Sequence, residues 1–256
     1  MASTDYPLIL IVGYSGSGKS YSLRNLNPVT TRILNIERKI LPFREQTEFA
    51  KNSNILDLAT IQAFDQALDA ALKNEKLDVI VIESATKYFE LLLTFAKSCN
   101  KGYDIYNFFN DRVTMFLERI KSNKSKFVIL LATDERVQLI SPTGAESSSR
   151  RVKIAGKQWE GVVEKEFTIV LFTEVKQDKD KKSIYSFITN NDGTNSAKAP
   201  PDMFKGQVVN NDVMDVVKTL SEYYSLPLIN STKVEIKQEI KQEIKQVVDS
   251  IINTKL

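Results

Sequence analysis

The chain has no histidine, and that absence excludes a good deal of chemistry. A Ser-His triad, a histidine-ligated zinc and an imidazole base are all ruled out. Any general base must be a carboxylate, Lys, Tyr or Cys. Cysteine is almost as scarce: Cys99 stands alone, so no internal disulfide forms, a reducing cytoplasm is the expected compartment, and Cys99 reads as a small packing residue. Long apolar runs are missing too. "LILIV" and "FVILLA" are too short to cross a bilayer. The opening "MASTDYP" has no basic segment ahead of an apolar core. No membrane partner is expected. Charge is nearly balanced, with 35 Lys and Arg against 32 Asp and Glu, and a net +3 does not by itself argue for nucleic acid.

Glycine is also sparse, with nine in 256 residues, yet three fall within six positions directly after "LILIV". That stretch, "GYSGSGKS", fits G-x-x-x-x-G-K-[ST] with Gly13, Gly18, Lys19 and Ser20 in register. A glycine loop between a strand and a helix turns backbone N–H groups toward a phosphate, and the helix start adds positive dipole. The lysine neutralises the terminal phosphates, and the hydroxyl after it holds Mg²⁺. The expected nucleotide contacts are Gly13, Ser15, Gly16, Ser17, Gly18, Lys19, Ser20 and Tyr21.

The surrounding pattern supplies the required context. Leu8–Gly13 reads as a buried strand and "KSYSLRNL" as a helix opening at Lys19. Arg32–Glu37, Asp78–Ser84 and Lys126–Glu135 are three further strands. Helices are predicted for "IQAFDQALDAALKN", "TKYFELLLTFAKSC" and "YNFFNDRVTMFLERIK". Strands separated by helices argue for a parallel sheet covered on both faces. The polar stretch "SPTGAESSSRRVKIAGKQWEG" has little periodicity and is expected to be a long loop. "EFTIVLFTEV" and "SIYSFITN" flank a charged tip as a β-hairpin, and "NNDVMDVVKTLSEYY" is a capped helix.

Ligands of open α/β sheets gather at the carboxyl ends of the strands. Of the two acids in "DVIVIES", Asp78 begins the strand and Glu83 ends it, roughly 16 Å apart. Only Glu83 therefore shares the edge of the glycine loop, and Ser20 with Glu83 forms the expected metal pair. Glu37 ends another strand and would orient an attacking water. Thr133 and Asp134 close the fourth strand at the same edge and would sense the terminal phosphate. Arg150, Arg151, Lys153 and Lys157 form a basic cluster suited to single-stranded nucleic acid, while Trp159 beside it is expected to pack on the core.

From about Ser231 the chain changes character. Ile236, Ile240, Ile244, Val248 and Ile251 form an apolar helical stripe. Glu lies over Glu at 235, 239 and 243, and Lys over Lys at 237, 241 and 245. Like-charge rows do not stabilise a lone helix. Two readings stand: a helix that docks a protein partner or self-associates, with charges paired between chains, or an amphipathic helix on its own domain.

Taken in order, "LILIVGYSGSGKSYSLRNL", "RILNIER", "DVIVIESATKYFELLL", "YNFFNDRVTMFLERIK" and "KFVILLATDE" resemble the RecA-like P-loop ATPases encoded by bacteriophages, in particular the Sak-type single-strand annealing proteins of the AAA ATPase group. The resemblance continues through "RRVKIAGKQWEG" and "TNSAKAPPDMF" and covers roughly Tyr6 to Tyr224. It implies an α/β fold with a RecA-like core over residues 1–228 and a mostly parallel sheet with an antiparallel hairpin at one edge; the helical tail over 229–256 is read from its apolar stripe alone and lies outside the resemblance. It implies Glu37 as catalytic glutamate, Glu83 as Walker B acid, and Lys198 as a basic residue reaching a neighbouring subunit's nucleotide. Two positions depart from the pattern: Glu83 stands where Asp is usual, and Asp134 where a histidine often follows the fourth strand. The implied function is a DNA-stimulated ATPase that uses ATP and Mg²⁺, binds single-stranded DNA, oligomerises, and promotes annealing or strand exchange in the cytoplasm of a bacterial host. The alternative is a nucleotide-dependent assembly or loader protein acting on a protein partner.

Overall fold

The computed structural model describes residues 5–140 and 146–228. The expected tail helix, 229–256, lies outside the described residues. β1 (Leu8–Val12) leads through the glycine loop into a 3-10 turn (Ser20–Leu23) and β2 (Thr31–Asn35). Then come α1 (Gln46–Lys51), β3 (Ile55–Asp57), α2 (Ile61–Lys73), β4 (Val79–Glu83), α3 (Ala85–Cys99), α4 (Asp104–Lys121) and β5 (Phe127–Ala132). β6 (Asp134–Ile140) and β7 (Glu146–Val152) follow. Short 3-10 turns at Lys157–Trp159 and Val163–Glu166 precede β8 (Ile169–Gln177), β9 (Ser183–Ile188), β10 (Val208–Asn210) and α5 (Val213–Tyr224).

The main sheet has eight strands in the order β10-β9-β8-β1-β5-β4-β2-β3. From β8 to β3 every pairing is parallel, and β9 and β10 join antiparallel at one edge. This is the expected α/β architecture. Strand periodicity builds its two faces. Leu8, Leu10 and Val12 of β1 pack with Phe64, Phe89 and Phe116 from α2, α3 and α4. Ile9 and Ile11, pointing the other way, pack with Leu23, Phe49 and Val217 from the 3-10 turn, α1 and α5. Because both faces are covered, β1, β4 and β5 read as continuous apolar runs. Each fully buried side chain of this kind is worth about 1.5–3 kcal/mol.

α2 shows how local signals fix an element. Thr60 caps it by accepting from the Ala63 N–H at 3.1 Å, and Ile61, Phe64, Leu68 and Ala71 form its buried stripe. α5 starts the same way, with the Asp212 carboxylate accepting from the Met214 N–H at 2.9 Å.

Five expectations are corrected. "KSYSLRNL" makes only one 3-10 turn, because Gly18 and the tight loop leave a single turn before Asn27 and Pro28. β2 stops at Asn35, so Glu37 lies beyond the strand. β5 stops at Ala132, and Asp134 opens a separate antiparallel strand. The supposed long loop contains that strand's partner: β6 and β7 pair from Asp134↔Val152 to Ile140↔Glu146. Finally, Cys99 is exposed at the end of α3 and is no packing residue. Among the described residues no helix is long and apolar enough to cross a membrane.

Candidate functional site

The carboxyl ends of β1, β4 and β5 form one edge of the sheet. β5 separates the loop-bearing β1 from β4. At this edge lies a cavity of about 420 Å³, lined by the glycine loop, Glu37, Glu83, Thr133 and Tyr185 among others.

The loop is held from beneath. The Ser17 hydroxyl donates to the Tyr14 carbonyl at 2.6 Å, and the Gly13 N–H donates to Ala132 at 3.1 Å. The N–H groups of Gly16, Gly18 and Lys19 donate to no acceptor among the described residues, so they remain open to an anion. Gly13 is required by space: a Cβ there would stand 1.7 Å from Thr173 Oγ1. Gly18 is required by backbone and by space, with φ at +90° and a would-be Cβ 2.7 Å from the Tyr185 ring. The Lys19 ammonium folds back on the loop and donates to the Gly13 and Tyr14 carbonyls at 2.6 and 2.9 Å. Burial lowers its pKa, against the opposing pull of Glu83.

Ser20 and Glu83 meet as expected, with the hydroxyl donating to Glu83 Oε1 at 2.8 Å. Burial pushes the Glu83 carboxyl up to about 7, and the Ser20 hydrogen bond and Lys19 pull it back. Its second oxygen, Oε2, is buried without a partner among the described residues. An orphaned carboxylate oxygen beside a hydroxyl is a hard donor set that fits Mg²⁺, an ion that takes few protein ligands and keeps its remaining waters.

Glu37 lines the same cavity, two residues past β2, and pairs with Lys39 at 2.6 Å. Thr133 also lines it, and its N–H donates to Thr86 Oγ1 at 2.9 Å. Asp134 does not line it. Its carboxylate accepts from Arg150 Nε at 2.7 Å, with side-chain exposures of only 6% and 15%.

The basic cluster is therefore divided. Arg150 is committed to Asp134 and to the Thr173 carbonyl, 3.2 Å away. Arg151 is committed to Glu135 at 2.7 Å and Glu160 at 2.9 Å. To reach a phosphate backbone, both arginines would have to leave these carboxylates. Lys153 and Lys157 have no ion-pair partner among the described residues. Trp159 packs on the core as expected, its Nε1–H donating to Asn110 Oδ1 at 3.1 Å. Lys198 lies away from this cavity, bridged to Val170 with its ammonium toward the Lys165 carbonyl at 3.4 Å.

Sequence reasoning missed Tyr185 and Thr173. The Tyr185 ring, on β9, stands 5.8 Å from that of Tyr21 and walls one end of the cavity. Nothing local marks either residue; each matters because the hairpin returns beside β1.

A glycine loop whose lysine and serine face an acid two strands away defines a P-loop nucleotide-binding core. A family model described as AAA domain matches residues 6–200. The chain belongs to that AAA domain family. The comparison with curated proteins finds no match. Among solved structures, the chain is similar to the flagellar accessory protein FlaH from Methanocaldococcus jannaschii at 14% identity, over 72% of this chain and 77% of that one, with a TM-score of 0.39. It is also similar to the RadB recombinase at 12% identity, over 76% of this chain and 93% of that one, with a TM-score of 0.43. Both are distant similarities.

Proposed function

We propose that the protein binds ATP with Mg²⁺ and hydrolyses it, and that turnover is coupled to single-stranded DNA in annealing or strand exchange by an oligomer. The observation that carries the hydrolytic reading is the Ser20–Glu83 pair opposite Lys19 in one cavity. Loop amides and Lys19 would hold the β- and γ-phosphates, and Ser20 and Glu83 would hold the metal. Mg²⁺, when bound, would neutralise charge on the phosphates. Glu37 is close enough to the open cavity to orient a water for in-line attack, and Thr133 would hydrogen-bond the terminal phosphate. Tyr21 and Tyr185 offer ring faces to the base.

The DNA reading rests on Lys153 and Lys157 beside the β6–β7 hairpin, and on the hairpin's link through Arg150 to the loop-bearing edge of the sheet. Lys198 would act, in this reading, on a neighbouring subunit's nucleotide. ATP turnover, with and without single-stranded DNA, tests the whole. Wild type is expected to turn over ATP faster with DNA, and Lys19→Ala to lose at least about 100-fold, the scale on which losing one preorganised charge at a reacting centre is felt. Equal rates in wild type and Lys19→Ala overturn the site. Turnover indifferent to DNA, but responsive to a protein partner, favours the assembly reading.

A further inference from the structure

We propose that Thr173 is a positioning residue for the phosphate loop, acting through Ser17; this rests on the reading of the cavity as a nucleotide site. Thr173 lies on β8, is fully buried, and sits directly beneath Gly13. Its hydroxyl donates to Ser17 Oγ at 2.6 Å, with the Val12 carbonyl farther off at 3.3 Å. The Ser17 hydroxyl in turn donates to the Tyr14 carbonyl at 2.6 Å. A hydroxyl carries one proton and accepts through its lone pairs. The direction of the relay is therefore set: Thr173 to Ser17 to Tyr14.

The relay adds a hydroxyl donor to a carbonyl that the loop backbone holds through one N–H only. The Tyr14 carbonyl also accepts from Lys19 Nζ and from the Ser17 N–H, at 2.9 and 3.2 Å. When Lys19 turns to a phosphate, that carbonyl loses its cationic donor. A carbonyl oxygen free to swing toward the cradle would repel an anion. The Ser17 hydroxyl keeps it turned down, and Thr173 keeps the hydroxyl oriented. Arg150 holds β8 at this position by donating to the Thr173 carbonyl at 3.2 Å. Gly13 completes the arrangement, because only a residue without Cβ lets Thr173 approach.

Equilibrium binding of fluorescent ADP to the full chain tests this. Thr173→Val keeps shape and removes the donor; Thr173→Ser keeps the donor. Thr173→Val and Ser17→Ala are each expected to weaken ADP by roughly three- to tenfold, the range of a single net hydrogen bond. Thr173→Ser is expected to bind within about twofold of wild type, inside the scatter of non-interacting changes. The double variant Thr173→Val/Ser17→Ala is expected to be no weaker than the poorer single variant, since both cut one relay. Unchanged affinity in Thr173→Val, loss in Thr173→Ser equal to that in Thr173→Val, or fully additive losses in the double variant overturn the proposal. If Thr173→Val does not fold, Ser17→Ala decides, with unchanged affinity counting against the relay. Wild type that binds no ADP sinks the nucleotide reading instead.

Discussion

The phosphate loop and the β6–β7 hairpin meet around Arg150, and they are held by different forces. The loop is held by hydroxyls, amides and the absence of side chains: Ser17 on Tyr14, Thr173 on Ser17, and a bare Gly13 between β1 and β8. The hairpin is held by ion pairs. Arg136 and Arg150 stand opposite each other in register, a repulsive pairing that Asp134 offsets by taking Arg150 at 2.7 Å. On the other face Glu135 pairs with its direct partner Arg151. A two-stranded ribbon is marginal alone. The hairpin is accordingly tied at its base, with the Arg150 N–H donating to the Thr194 carbonyl at 2.7 Å and the Lys153 N–H to the Thr133 carbonyl at 2.8 Å. The difference teaches where charge is still available: the loop leaves its amides open, whereas the hairpin has Arg150 and Arg151 committed to carboxylates.

The sharpest way to break the comparison is Gly13→Ala. Its Cβ would collide with Thr173 and Ser17, and nothing in the buried edge can yield cheaply. We expect a stability loss above about 4 kcal/mol together with loss of nucleotide binding, measured by urea unfolding and ADP titration. Gly206→Ala, with 3.7 Å of room and an ordinary backbone, is expected to stay within about 0.5 kcal/mol.

On the hairpin side, Arg150→Ala leaves the buried Asp134 carboxylate without its cation. The expected cost is about 3 kcal/mol, seen in urea unfolding and in faster amide exchange along β6 and β7. Arg150→Met/Asp134→Leu should recover most of it. If the single variant unfolds like wild type, the charge-built description of the hairpin is wrong.

The loop side has its own buried charge. Glu83 has a folded pKa of about 7 against an ordinary 4.5. Between those values the folded protein holds a proton that the unfolded chain has released, so stability falls as pH rises from about 4.5 to 7 and levels off above. The expected fall, without nucleotide or divalent metal, is on the order of 3 kcal/mol. Glu83→Gln should flatten that part of the profile. A profile identical in both proteins would remove the burial argument.

The smallest effect concerns the uncommitted cations. Lys157→Ala is expected to change stability by less than about 0.5 kcal/mol. Under the DNA reading proposed above, it is also expected to lower the salt slope of single-strand binding by about 0.7 in log-log slope. Arg151→Ala, already committed to two carboxylates, is expected to leave that slope nearly unchanged.

The parallel half of the molecule was legible because its signals are local and redundant. "LILIV", "DVIVIES" and "FVILLA" carry strands buried on both faces, and Thr60 and Asp212 mark helix starts. Glu83 could be placed at the loop's edge by counting strand residues, and the Ser20 contact agrees with that count. The hairpin was not legible. "ESSSRRV" has no alternating hydrophobicity, so the turn residues of "SPTG" just before it carry no strand signal, and its strand state depends on Asp134 and Glu135 from the opposite strand. Tyr185 and Thr173 were invisible for a related reason: both come from a distant segment that pairs back onto β1. Short pieces such as β3 and β10, three residues each, exist only because the neighbouring strand offers an edge.

The curled posture of Lys19 has a thermodynamic corollary. Its ammonium is already seated on two carbonyl oxygens, while the amides of Gly16, Gly18 and Lys19 stay open. Loading a polyphosphate must first unseat that ammonium. Calorimetry should therefore record a smaller heat of association for wild type than its contact list suggests, and Lys19→Arg, too long to curl in the same way, should lose affinity while shedding part of that enthalpic penalty.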